Sequence, residues 1–180
     1  EVIRHDASPV ESQGRTGTCW SFSALSFLES EIMRVNKTDK PVVLSEMFIV
    51  RKAYEAKAKK FIRMDGRTNF GEGGAFHDIP YVIKNFGIVP QNVYTGLQKK
   101  SDSYNHGDMF KDLNRIVGDA RSQGNGIQQS WVDEYNATLD ENIGELPETF
   151  KYKGEKYTAM TFYNSLGIDI NLIQNRKLIG

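Results

Sequence analysis

Apolar residues recur at helical spacing from Trp20 onward, with Leu25, Leu28, Ile32 and Val35 at i, i+3, i+7 and i+10. Ala24 and Phe27 widen this face, and a face so wide predicts a helix buried on most of its sides. The polar stretch NKTDKP at 36–41 ends the helix in a loop. Ser45 reads as the N-cap of a second helix, with Glu46 in its first turn and Phe48, Ile49, Lys52, Ala53, Ala56 and Lys60 in helical order to about residue 62. Residues 65–74 hold four glycines and predict a loop. A third helix is expected over 75–85, closed by Gly87 with Pro90 beyond it. After Gly96 the chain turns polar, and helices are expected at 108–121 and 127–141, separated by Gly124-Asn125-Gly126. A short strand at 149–152, a Lys153-Gly154 turn and a last helix at 157–166 complete the pattern. The fold class is therefore mainly α, with little strand.

Composition narrows the reading. The 180 residues are 39% hydrophobic and 26% charged, as in globular proteins. No stretch approaches the ~18 apolar residues of a membrane span, and no signal-peptide pattern is present. Glu1 in place of Met reads as a trimmed start, which leaves an exported or periplasmic protein as open as a cytoplasmic one. Lys plus Arg is 23 and Asp plus Glu is 23, a zero balance that disfavours nucleic acid as a partner. The one basic block, RKAYEAKAKKFIR at 51–63, reads as a solvated helix face. A single cysteine excludes an intrachain disulfide and a Cys-rich zinc site, and no metal or other cofactor is expected.

That cysteine stands in Gln13-Gly14-Arg15-Thr16-Gly17-Thr18-Cys19-Trp20-Ser21-Phe22-Ser23. A thiol attacks carbonyls as the thiolate, and a free Cys titrates at about 8.5. The first turn of a helix supplies roughly half a positive charge, which favours the anion. It also aims unpaired backbone N–H groups at a developing oxyanion, that of Cys19 among them. Gln13, six residues upstream, can return its side-chain amide as a second oxyanion donor. Gly14 and Gly17 permit the tight path, and Trp20 can shield the site from water. A lone Cys is otherwise a small buried hydrophobe; its place after a Gly-rich turn favours the nucleophile.

The run Gln13…Cys19-Trp20-Ser21-Phe22-Ser23 resembles the active-site segment of papain-like cysteine peptidases. Leu44-Ser45-Glu46 resembles the start of that family's second helix. Gly73-Gly74 resembles the glycine pair whose backbone holds the substrate. Gly71-Glu72-Gly73-Gly74-Ala75-Phe76 and Asn85-Phe86-Gly87-Ile88-Val89-Pro90 are similar to the bleomycin hydrolase and aminopeptidase C branch. Leu146-Pro147-Glu148-Thr149-Phe150 and the run from Tyr157 to Tyr163 resemble its helical insertion. The resemblance covers about residues 7–167. It implies Cys19 and Gln13 as catalytic residues and Gly73, Gly74 and Trp20 as substrate-binding ones. It also implies a peptide substrate, a papain-like helical lobe at 1–96 and the start of a hook-like insertion at 97–180, with homo-oligomers formed through the insertion.

One part of the family pattern is missing. A papain-like triad needs a His base and an orienting Asn, about 130–150 residues after the Cys. The histidines here are His5, His77 and His106, and none falls in that window. Each reads as structural or surface. Asn164-Ser165-Leu166-Gly167 imitates the run that carries the orienting Asn, but Leu replaces its Trp and no His precedes it. The simplest reading is a helical lobe whose β-rich second lobe is absent from this chain, with the His and Asn supplied by a second chain if the protein is a peptidase. The other reading is a non-catalytic remnant that acts by self-association through exposed apolar surface. The final residues, 173–180, match no known pattern.

Overall fold

The computed structural model describes residues 7–97 and 101–171. His5 and residues 173–180 lie outside them. The described residues form six helices and one two-stranded sheet, in the order α1 Cys19–Asn36, α2 Glu46–Arg63, α3 Asp78–Phe86, α4 Gly107–Ser122, α5 Gln129–Ile143, β1 Phe150–Tyr152, β2 Glu155–Tyr157 and α6 Ala159–Ser165. The mainly α expectation holds.

Local chemistry sets the boundaries. Ser45 caps α2, its Oγ accepting from the Phe48 N–H at 3.1 Å, a contact worth about 1 kcal/mol. The same hydroxyl donates to the Tyr94 carbonyl at 2.6 Å, which ties the cap to a later loop. Helix α3 begins at Asp78, three residues later than the sequence pattern predicts. Asp78 Oδ2 accepts the Ala75 N–H at 2.9 Å, and the Asp78 N–H bonds back to the Ala75 carbonyl at 2.9 Å, so 75–78 closes as a turn. The expected strand at 149–152 pairs with a second one, Phe150 opposite Tyr157. Lys153 (φ 48°) and Gly154 (φ 89°) form the two-residue turn between them. Tyr157 is thereby taken from the last helix, which Thr158 starts with a capping box to Thr161.

One continuous apolar core runs through the fold. Leu25, Leu28 and Ile32 of α1, Phe48, Ile49 and Tyr54 of α2, and Leu113 and Leu139 of α4 and α5 are buried in it. At its far end the Phe162 ring meets Phe150, Tyr152 and Tyr157 edge-on, at centroid distances of 5.2–5.7 Å.

Two sequence expectations need correction. Helix α1 is not buried on most sides: Phe27 is 48% exposed and Val35 45%, and Ser23 and Ser26 share the open face. Nor is the basic block at 51–63 a wholly solvated face. Arg51 is 4% exposed, because its guanidinium has carboxylate and carbonyl partners in the interior. Hydrophobic periodicity marks which face can be buried; what is packed against it decides how much is.

Candidate active site

Cys19 is the first residue of α1 and is exposed, while its neighbours Thr18 and Trp20 are buried. Backbone bonds to Thr18 from Ser21 (2.9 Å) and Phe22 (3.4 Å) close the first turn beneath the thiol. Among the described residues no side chain caps this helix, so the dipole and the unpaired N–H groups of its first turn stay available to an anion.

The preceding loop is held by its own side chains and by a distant segment. Gln13 Nε2 donates to the Thr16 carbonyl at 2.6 Å, and Thr16 Oγ1 donates back to the Gln13 carbonyl at 2.9 Å. An amide has two N–H donors, and this bond uses one. Gly14 (φ 59°) lies against Tyr104, where a Cβ would stand 2.4 Å from the Tyr104 carbonyl oxygen; no other residue fits without displacing the backbone. The Arg15 N–H donates to that carbonyl at 2.8 Å, and Arg15 and Asn105 form a short parallel bridge. Sequence reading found Gln13 and Gly14 but had no signal for Tyr104, whose contact spans about ninety residues.

The third component is the Gly-rich loop before α3. Glu72 Oε2 accepts the Gly17 N–H at 2.7 Å, and the Glu72 carbonyl accepts from Trp20 Nε1 at 3.0 Å. Gly74 packs on the Trp20 ring so closely that a Cβ would sit 2.6 Å from it. Lys57 of α2 donates to the Gly73 carbonyl at 2.5 Å, and its ammonium stands 5.1 Å from the Trp20 ring centroid. Burial lowers the Lys57 pKa, opposed by the nearby Asp78 carboxylate. Cys19, Trp20, Gly73 and Gly74 are thus gathered at one end of α1, with Gln13 in the loop leading into it. Beyond the loop lies an open cleft of about 740 Å³, walled by Lys57, Gly73, Gly74 and Tyr81. Glu72 and Lys57 are the members that sequence reading gave no role. Glu72 lies within the Gly71–Gly74 run, and Lys57 within a block of alternating charge that has the pattern of a surface helix face.

Residues 3–136 match the family described as papain family cysteine protease. The chain belongs to the papain family of cysteine proteases. Aminopeptidase C of Lactococcus lactis subsp. cremoris is 24% identical, aligned over 91% of this chain and 44% of its own length. Cathepsin K of Mus musculus is 32% identical over 54% of this chain and 26% of its own. The crystal structure of PepW from Lactobacillus rhamnosis HN001 is similar at a TM-score of 0.70 and 20% identity, over 94% of this chain and 46% of that one, which speaks to the fold. The aminopeptidase C resemblance read from the motifs thus extends over most of the chain. The chain spans about half the length of the aminopeptidase C and PepW chains it matches.

The remaining papain-type expectations can now be located. His77 is exposed at the start of α3, with Nε2 3.7 Å from Asp78 Oδ1. His106 is buried against Tyr54, and burial pushes its pKa down to about 4. Among the described residues no hydrogen bond joins an imidazole to Cys19. Asn164 lies in α6, and the Leu166 carbonyl beside it accepts from Asn36 at 2.9 Å. Asn36 ends α1, 17 residues from Cys19 and so about 25 Å along the helix axis. That run therefore packs at the opposite end of α1 from the thiol. No helix among the described residues is long and apolar enough to cross a membrane.

Proposed function

We propose that this chain is the nucleophile-bearing part of a cysteine peptidase of the aminopeptidase C type. One observation carries the reading: the single thiol is exposed at the first residue of a helix with one face in the core, beside the loop that holds Gly73 and Gly74. In the proposed step the Cys19 sulfur attacks a peptide carbonyl. The Cys19 N–H and the Gln13 amide hold the oxyanion while an S–C bond forms. The C–N bond then breaks, leaving a thioester and a free amine. Gly73 and Gly74 offer backbone to the substrate strand, and Trp20 is the wall that keeps water from the thiol side of the loop.

The departing amine needs a proton, and a positioned donor accelerates such a step roughly 100- to 10,000-fold. The proposed donor is a His oriented by an Asn, neither of which the described residues set beside Cys19, so residues 1–180 by themselves are expected to hydrolyse peptides poorly or not at all. The test is alkylation of Cys19 by iodoacetamide, compared with a free cysteine peptide at the same pH. Faster labelling, abolished when the fold is denatured by urea, supports an assembled site. Labelling no faster than the peptide would defeat the reading.

A second reading has its own observation. Phe27 and Phe76, 48% and 42% exposed, meet edge-on at 6.2 Å and form an uncovered aromatic pair at the middle of α1. In that reading the chain is a non-catalytic remnant that associates with itself through this pair. Sedimentation separates the two: a homo-oligomer of the 180-residue chain that dissociates in Phe27→Ala supports the remnant, and a monomer counts against it.

A further inference from the structure

A pocket of about 240 Å³ opens between the segment at 9–11, helix α1 and the start of α2. Pro9, Val10 and Phe22 form its apolar wall, and Glu11, Glu29 and Glu46 its polar one. Among the described residues that line it there is no Lys, Arg or His.

Two of these carboxylates are deep. Glu29 is 3% exposed and accepts from neutral donors, the Ser8 hydroxyl and the Leu44 N–H at 2.7 Å. Glu46 is also 3% exposed. Its own backbone N–H supports the carboxylate, but Oε2 is buried with no hydrogen-bond partner among the described residues. Glu11 stands exposed at the rim. A carboxylate taken out of water without a cation is costly, and here two lie together with a third in front of them.

We propose that this pocket receives the ammonium-tipped side chain of a lysine from a partner polypeptide. Charge complementarity selects a cation. The apolar wall suits the methylene stem that carries a lysine's charge to depth. The one unpartnered oxygen of Glu46 suits a compact point charge better than the two-pronged guanidinium of arginine. A metal ion is a poorer fit, because no group of three or more His, Cys, Asp or Glu among the described residues is arranged to hold one. The proposal does not rest on the reactivity of Cys19. It does place the partner close to it, since Phe22 follows Cys19 by three residues, under one turn of about 5.4 Å.

The probe is n-butylammonium chloride, the side chain of lysine without its backbone. It is titrated into the 180-residue chain at constant ionic strength and about pH 8, where the carboxylates ionise, while the amide resonances of Phe22, Glu29 and Glu46 are followed. Saturable shifts are expected, with n-butanol producing none. Glu46→Gln should weaken binding about tenfold or more. Glu11→Gln, at the exposed rim, should weaken it by a smaller factor and decides the matter alone if Glu46→Gln does not fold. Shifts that potassium chloride reproduces, or that persist undiminished in both variants, would overturn the proposal. The same shifts appearing without amine as protein concentration rises, and lost in Glu46→Gln, would support it with a second copy of this chain as the bearer of the lysine.

Discussion

Helix α2 buries two charges five residues apart and treats them in opposite ways. Arg51 is 4% exposed and satisfied: Nη2 meets Asp140 at 2.6 Å, Nη1 the Gly144 carbonyl at 2.6 Å and Nε Glu55 at 3.3 Å. It joins α2 to the C-terminal end of α5, where a cation also suits the helix dipole. Glu46 is 3% exposed and faces Glu29, Glu11 and Tyr104, none of them a cation. Equal burial therefore has two meanings. A paired buried charge fixes the packing of the fold; an unpaired one keeps a demand that something outside the described residues can meet.

The strongest way to break this contrast is Arg51→Ala. It removes one of two donors to the Gly144 carbonyl, which the Tyr94 hydroxyl also reaches at 3.3 Å, and leaves the 37%-exposed Asp140 carboxylate to solvent. The cost in urea unfolding should be about 2–4 kcal/mol, part of it lost packing of the buried Arg51 stem. A loss under 1 kcal/mol would show that the network is ornamental.

Titration sharpens the contrast. Burial, with a smaller push from the Glu29 and Glu11 charges, raises the Glu46 pKa from 4.5 to about 7. The native state then holds a proton that the unfolded chain has released. This contribution is intact below about pH 4.5 and is lost as pH rises to about 7, on the order of 3 kcal/mol in all. His106 has the opposite sign, since burial lowers its pKa from 6.5 to about 4. Its stability is full above about pH 6.5 and is lost, by a similar order, as pH falls to about 4. The two slopes oppose each other where they overlap. Glu46→Gln should leave stability falling toward acid, and His106→Phe should leave it falling toward neutral pH. Unfolding midpoints across that range check both.

Gly14→Ala forces a Cβ into the Tyr104 carbonyl from a positive φ and should cost about 2 kcal/mol. It should also slow Cys19 alkylation toward the rate of a free thiol, because the loop before the nucleophile must move. The smallest effect is expected for Phe27→Ala on the open face of α1, within about 0.5 kcal/mol of the parent.

Much of the fold was legible because its cues are local. Ser45 as N-cap, Gly87 after α3 and the Lys153-Gly154 turn each stand where the neighbouring residues place them. The helical start at Cys19 was equally local. Glu46 shows where such reading ends. It was read as a first-turn acid complementing the helix dipole, which it is, but its burial depends on α1 and the 9–11 segment, and nothing near Glu46 in the chain encodes them. Arg51 was read as surface for the same reason, since Asp140 and Gly144 lie some ninety residues away. Long-range pairing was the part that periodicity could not supply.

The bridge between Arg15 and Asn105 has a bearing on how the molecule comes into being. Its two sides are separated by about ninety residues, which a ribosome adds in roughly 5–20 s. Until the second side has emerged, the turn ahead of Cys19 lacks its anchor. The thiol is therefore present in the nascent chain well before the geometry proposed to activate it, and the delay is set by where Tyr104 and Asn105 fall in the gene.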